Sequence, residues 1–218
     1  MVKFGNKYLK RIGILGGMFN PVHNGHLRVA IECKETFKFD ELRMFPCAEP
    51  PHREMPEVSS QQRLKMLQLA LQNISGVVAD GRELDRSGPS FTIDTLRSLK
   101  SEFPQAGFYL IIGSDAFQSL NAWHEWEKIL EFSNIIIAQR PDHQDDLSSE
   151  VGKQLKNSFT NDIDAFKESV SGKIFALKVS QLEISSSYLR ELIREDKSTQ
   201  FLLPEIVLNF IKENRLYN

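Results

Sequence analysis

The sequence predicts an α/β protein built on a doubly wound parallel sheet. Two patterns predict it: short apolar runs that read as strands alternate with segments of helical spacing, and several of the runs end in glycine or a loop rather than in a hairpin turn. Parallel strands need crossover connections, and right-handed crossovers through helices cover both faces of the sheet. A third observation bounds the size. At 218 residues the chain suits one domain, and folding at this length buries roughly 70% of the unfolded surface, enough for a core and a cleft.

Taken in order, the first strand is Ile12 to Leu15, which ends at Gly16 and Gly17. HLRVAIECKETF then has helical spacing, with Leu27, Ala30, Ile31 and Phe37 on one side. Leu42 to Phe45 is a second strand, followed by AEPPHREMPEV, too rich in proline for regular structure. Ser59 and Gln62 have the spacing of a capping box ahead of an apolar stripe of Leu64, Leu67, Ala70 and Leu71. VVAD at 77 to 80 is a third strand, RSGPS a turn, TIDTLRSLKSEF a helix and FYLIIG at 108 to 113 a buried strand ending in glycine. NIIIAQ and KIFALKV supply two more strands, with helices around WEKILEF, LSSEVGKQLKNSF, SSSYLRELIRE and PEIVLNFIKEN. No internal repeat is visible. The polar stretch 142 to 172 is the expected site of a peripheral or mobile element within a single domain spanning 1–218.

Charge and composition exclude several functions. A net charge of −2, from 27 basic and 29 acidic residues, gives no basic field for non-specific nucleic-acid binding, so an anionic ligand must be held locally. Cys33 and Cys47 have neither metal-ligand spacing nor a disulfide framework, which points to reduced thiols and a cytoplasmic setting. MVKFGNKYLKRIG lacks a signal-peptide core, and runs such as YLII are too short to span a bilayer. The pattern leaves open whether the chain is a monomer or a homo-oligomer.

Two stretches carry chemistry. In GILGGMFNPVHNGH, Gly16 and Gly17 let the backbone turn and approach a ligand, while His23 and His26 lie three apart at a helix entrance. Both imidazoles and the first amides of the helix can converge there, where the dipole favours an anion, and Gly25 has no side chain to block the approach. Two alternatives stand beside this: an ordinary polar helix start, or a zinc site completed by His52 or His124, for which no HExxH or cysteine pair speaks. The second stretch, ISSSYLR, opens a helix after a strand, and its serines can cap the helix or bond an anion. Arg190 there offers a planar fork matched to phosphate, or is a solvated charge.

GGMFNPVHNGHL together with ISSSYLR resembles the nucleotidyltransferase superfamily marked by an HxGH motif and a later ISSTxxR-like motif. PPHR at 50 to 53, ELDRSGPSFTIDTL, GSDAFQSLNAWHEW and RP at 140 to 141 extend the resemblance, in order, to the bacterial nicotinate-nucleotide adenylyltransferases. It implies a Rossmann-like nucleotidyltransferase fold and transfer of AMP from ATP to nicotinate mononucleotide, giving deamido-NAD and pyrophosphate, with Mg²⁺ assisting. An acceptor phosphate is already a nucleophilic oxyanion, so this chemistry needs two anions held together and charge neutralised, with no covalent intermediate. The resemblance assigns His23, His26 and Arg190 to catalysis. It gives Gly16, Gly17, Met18, Gly113, Asp115, Arg140, Ser185 and Ser186 to ATP, with Gly113 and Asp115 meeting the ribose and base edge. Trp123 is assigned to stacking on the pyridine ring, Thr92 to the nicotinate carboxylate, and His52 and Arg53 to the PPHR loop of the acceptor site. Trp126 is read as core. Met18, Asn20 and Asp142 depart from the family's usual residues, and Ser187 replaces the motif threonine while keeping a hydroxyl.

Overall fold

The computed structural model describes residues 9–50, 56–139, 148–180 and 182–218. It contains a six-stranded sheet in the order β3-β2-β1-β4-β5-β6, with every pairing parallel. The strands are β1 (Arg11–Gly17), β2 (Glu41–Pro46), β3 (Val77–Ala79), β4 (Gly107–Gly113), β5 (Asn134–Gln139) and β6 (Ile174–Lys178). Strand order runs outward from β1 in one direction and then resumes from β4 in the other, so the switch point lies between β1 and β4. This is the doubly wound sheet that the alternation of apolar runs and helices predicts.

The helices are α1 (Asn24–Phe37), α2 (Ser60–Leu71), α3 (Thr92–Glu102), α4 (Ser114–Gln118), α5 (Ile129–Phe132), α6 (Glu150–Gln154), α7 (Ile163–Glu168), α8 (Ser186–Arg194) and α9 (Glu205–Glu213). Two apolar clusters fill the protein. One gathers Leu27, Phe37, Met66, Leu67, Tyr109, Phe166, Leu189 and Val207; the other gathers Ile12, Ile14, Leu96, Phe108, Phe117 and Ile135. Neighbouring residues of one strand fall in different clusters, as Phe108 and Tyr109 do, because successive side chains point to opposite faces.

Three details differ from the sequence reading. On α1 the buried set is Leu27, Ala30, Cys33 and Phe37, and Ile31 is only half-buried, because the helix turns Cys33 into the core. On α2, Ser59 caps as expected: its hydroxyl accepts the Gln62 amide at 3.2 Å, and the Gln62 side chain accepts the Ser59 amide at 3.2 Å. The buried stripe, however, is Arg63, Met66, Leu67, Ala70 and Leu71, and Leu64 is half-buried. That spacing of i, i+3, i+4, i+7 and i+8 is an ideal helical face, whose first member happens to be charged. Finally, residues 148–172, the described part of the polar stretch, run the crossover from β5 to β6 and place Val151 and Phe166 fully inside. Asp162 caps α7 by accepting the amides of Asp164 and Ala165, each at 3.0 Å, and Tyr109 donates its hydroxyl to the Lys167 carbonyl at 2.8 Å.

A candidate active site at the sheet's switch point

β1 and β4 run side by side, with Leu15 opposite Ile111, and each ends two residues later in a glycine, Gly17 and Gly113. A β-carbon on Gly16 or Gly113 would meet nothing within 4 Å, so the backbone borders open space at the carboxyl ends of both switch strands. At Gly17 the corresponding position is filled by the Phe19 ring, 3.0 Å away. Asp115 sits in the first turn of α4, next to this opening.

The loop after β1 leads into α1, whose N-cap is His23. The His23 amide donates to Nδ1 of His26 at 3.3 Å, so His26 plays the part that a glutamine or glutamate plays at the third position of a capping box. The two imidazoles stack, with centroids 3.7 Å apart and planes inclined by 28°, and the edge of Phe19 packs against His26 at 5.0 Å. Gly25 leaves room for this stack: a β-carbon there would approach His23 Nδ1 to 3.0 Å and press on the ring. Burial pushes His23 down to about 4, and burial plus the charge of His23 pushes His26 down to about 3. Both rings are therefore neutral at neutral pH. Because Nδ1 of His26 accepts a hydrogen bond, its proton belongs on Nε2, which is left as a donor.

α8 meets this loop from the other end of the chain. Ser185 is its N-cap and accepts the Tyr188 amide at 3.2 Å, while Ser186 donates its hydroxyl to the Pro21 carbonyl at 2.9 Å. Arg190 donates from Nη1 to the Asn20 carbonyl at 2.8 Å and from Nη2 to the Ser187 hydroxyl at 3.3 Å. A cleft of about 460 Å³ opens between the two elements, lined by Met18, Asn20, His26, Ser186, Ser187, Arg190, Arg194 and Tyr217 among others. Of the residues predicted from sequence, Met18, His26, Ser186 and Arg190 line this cleft together. His23 is buried behind His26, and Ser185 caps α8.

Thr92 and Trp123 stand apart from that cleft but near each other. Thr92 is the first residue of α3, after the N-cap Phe91, which has no side-chain acceptor for the helix amides. Phe91 packs on His124, the neighbour of Trp123, with ring centroids 4.4 Å apart, and Arg97 of α3 pairs with Glu125 at 2.6 Å. Trp123 and Trp126 are both half-buried against the second cluster, so burial does not separate their roles as the sequence reading did. Behind Thr92, the Thr95 hydroxyl donates to Glu83 at 2.8 Å and accepts from Arg86 at 2.8 Å. Burial raises the Glu83 carboxyl above its ordinary range, which the Thr95 bond only partly offsets. Ser90 accepts the amides of Ala48 and Glu49 at 3.1 and 3.3 Å, tying the entrance of α3 to the loop after β2.

His52, Arg53 and Arg140 lie outside the described residues. Among the described residues, no three of His, Cys, Asp and Glu come together as a metal site. At a further depression, near Asp80, Gly81 and Arg82, Asp80 pairs with Arg82 at 2.8 Å and with Arg43 at 2.7 Å.

Two residues of the site escaped sequence reading. Arg63 is fully buried and donates to the Met18 carbonyl at 2.9 Å and the Ala48 carbonyl at 3.4 Å, bracing the loops after β1 and β2 against each other. Its position in a helical stripe of apolar residues was the available signal. Tyr217, near the chain's end, reaches the β1 loop and left no local signal.

A family model described as cytidylyltransferase-like matches residues 14–192. A protein of Methylococcus capsulatus, named a probable nicotinate-nucleotide adenylyltransferase, is 42% identical over 207 residues, which are 94% of this chain and 99% of that one. Its namesake from Pseudomonas syringae pv. tomato is 42% identical over 209 residues, 95% of this chain and 94% of that one. Among solved structures, Plasmodium falciparum nicotinic acid mononucleotide adenylyltransferase complexed with NaAD matches with a TM-score of 0.72 and 23% identity. That alignment covers 95% of this chain and 97% of the other, and it shows a common fold. The HxGH and ISSSYLR elements thus face one cleft in a chain matched almost end to end, and the chain belongs to the nicotinate-nucleotide adenylyltransferases of the cytidylyltransferase-like family.

Proposed function

We propose that the chain transfers the adenylyl group of ATP to nicotinate mononucleotide, releasing pyrophosphate and forming deamido-NAD. The observation that carries this reading is the convergence of His26 from α1 and Arg190 from α8 on one cleft beside the open carboxyl ends of β1 and β4. The relatives' names supply the substrates.

In this reading the acceptor phosphate attacks the α-phosphate of ATP in line, and no side chain forms a covalent bond. The protein positions two anions and offsets their charge. His26 donates from its neutral Nε2 to phosphate oxygens, with His23 fixing its ring from behind. Two of the five guanidinium donors of Arg190 are used by Asn20 and Ser187, and the others serve the β and γ phosphates, with Ser186 nearby. Met18 takes part through its backbone, and Gly16, Gly17 and Gly113 leave room for the nucleotide, whose ribose lies near Asp115. The Ser185 hydroxyl is occupied as the cap of α8, so its contribution to ATP is to fix that helix. At the other end, the uncapped start of α3 at Thr92 receives the nicotinate carboxylate and Trp123 stacks on the pyridine ring.

Mg²⁺ assists as part of the substrate, MgATP, offsetting charge on the phosphates that carry it. Neither Cys33 nor Cys47 forms a disulfide, which fits a cytoplasmic enzyme built as a single domain. No helix of the described residues is long and apolar enough to cross a membrane.

The test is to incubate the protein with MgATP and either pyridine mononucleotide and to measure pyrophosphate. Release that depends on the nicotinate form supports the proposal. ATP binding without release would indicate a nucleotide sensor, and ATP loss without an acceptor would indicate a hydrolase; either outcome removes the transferase reading.

A further inference from the structure

The end of the chain is built into the candidate ATP site. After α9, which packs on α2, the backbone turns back through Arg215 and Tyr217, whose φ angles are 51° and 66°. That left-handed region suits glycine, and a tyrosine stays in it only where its surroundings fix it. They do: Leu216 is 8% and Tyr217 4% exposed, although Tyr217 is the last position but one of the sequence. The Tyr217 hydroxyl donates to Asn20 Oδ1 at 2.6 Å, across 197 positions of sequence. Asn20 is also the residue whose carbonyl accepts Arg190 at 2.8 Å. Tyr217 lines the same cleft as His26, Ser187 and Arg190. Its hydroxyl stays protonated at neutral pH, since burial raises its pKa more than the nearby arginines lower it.

From this geometry we infer that Tyr217 is a positioning residue for the ATP phosphates: by holding the Asn20 side chain, it fixes the carbonyl that orients the Arg190 guanidinium toward the cleft. The inference rests on the adenylyl-transfer reading and adds the chain's end to its ATP site. A tyrosine that only fastened the terminal residues would affect stability alone. A positioning tyrosine affects the affinity for ATP selectively, because the acceptor's pyridine end is held by other elements.

The experiment compares the full-length wild type with Tyr217→Phe, Asn20→Ala and the double variant. KM and kcat are measured for ATP and for nicotinate mononucleotide, with calorimetric titration of MgATP and thermal melts alongside. Tyr217→Phe should raise KM and Kd for ATP about tenfold, the worth of one well-made buried hydrogen bond, while KM for the mononucleotide stays put. Asn20→Ala should do the same, and the double variant should be no worse than the poorer single one, because both remove the same contact. An unchanged ATP affinity in Tyr217→Phe, with or without a lower melting temperature, would overturn the inference. So would equal rises in both KM values or additive losses in the double variant. A wild type that neither binds ATP nor releases pyrophosphate would instead overturn the adenylyl-transfer reading on which the inference stands.

Discussion

Replacing His26 by glutamine separates what the stacked imidazoles do for the fold from what they do for chemistry. Glutamine at the third helical position can still accept the His23 amide, as it does in a capping box, but it does not titrate. In wild type, His26 is pushed down to about 3 and His23 to about 4, against ~6.5 for a free imidazole. The sign follows: the folded state holds its protons more weakly than the unfolded chain. The stability from keeping the rings neutral is thus complete above about pH 6.5 and is lost as pH falls from there toward the folded values. The slope for one such group is about 1.4 kcal/mol per pH unit, so between pH 6.5 and 4.5 His26 accounts for about 3 kcal/mol. Urea unfolding of the ligand-free protein, repeated across that range, measures it. Wild type and His26→Gln should be close at pH 7, and wild type should then lose about 3 kcal/mol more by pH 4.5. Turnover at pH 7 should meanwhile fall about 100-fold or more, since an aimed donor at the reacting phosphates is gone. Parallel stability curves for the two proteins would refute the buried neutral pair, and near-normal turnover would take His26 out of the site.

Arg190→Lys keeps the charge but cannot bond the Asn20 carbonyl and Ser187 while also presenting a fork to phosphate; kcat/KM for ATP should fall about 10- to 100-fold in steady-state assays. Arg63→Met should fit the apolar stripe of α2 yet strip the Met18 and Ala48 carbonyls of their donor, costing about 2 kcal/mol in urea unfolding, and an unchanged midpoint would refute the bracing role. Trp123→Ala should weaken nicotinate and nicotinamide mononucleotides alike, because stacking does not sense the substituent's charge, whereas Thr92→Ala should narrow the gap between them. Comparing kcat/KM for both mononucleotides checks this; equal efficiencies in wild type would remove the acid preference, and undiminished discrimination in Thr92→Ala would move the carboxylate site elsewhere.

The elements that were legible in the sequence are those whose signal is local. β1, β4 and β5 are apolar runs long enough to be buried on both faces, and the Ser59–Gln62 spacing fixed the start of α2. α7 was not legible, because IDAFKE commits a single side chain, Phe166, fully to the core, with Ile163 only partly covered against it. The burial of Cys33 in place of Ile31 follows from the helix turn: Cys33 falls in the same arc as Leu27, Ala30 and Phe37, whereas Ile31, two residues earlier, points to the flank, so the more apolar residue is the more exposed one.

The same distinction runs through the site. His23 and His26 are three residues apart, so their shared face could be read directly, and Gly25 between them carries the reason in its missing side chain. The bonds that hold these residues in place are different in kind. Arg63 to Met18, Arg190 to Asn20 and Tyr217 to Asn20 span 45, 170 and 197 positions, and the first two end on backbone carbonyls, which every residue type presents. A carbonyl has no sequence signature, so a buried arginine among leucines announces that it has a partner without saying which. The loop from Met18 to Pro21 is thereby pinned from α2, from α8 and from the chain's end at once, through Arg63, Arg190, Ser186 and Tyr217. If this loop binds the phosphates as proposed, holding it this way keeps its donors aimed before ATP arrives, which is what lets electrostatic stabilisation act without reorganisation.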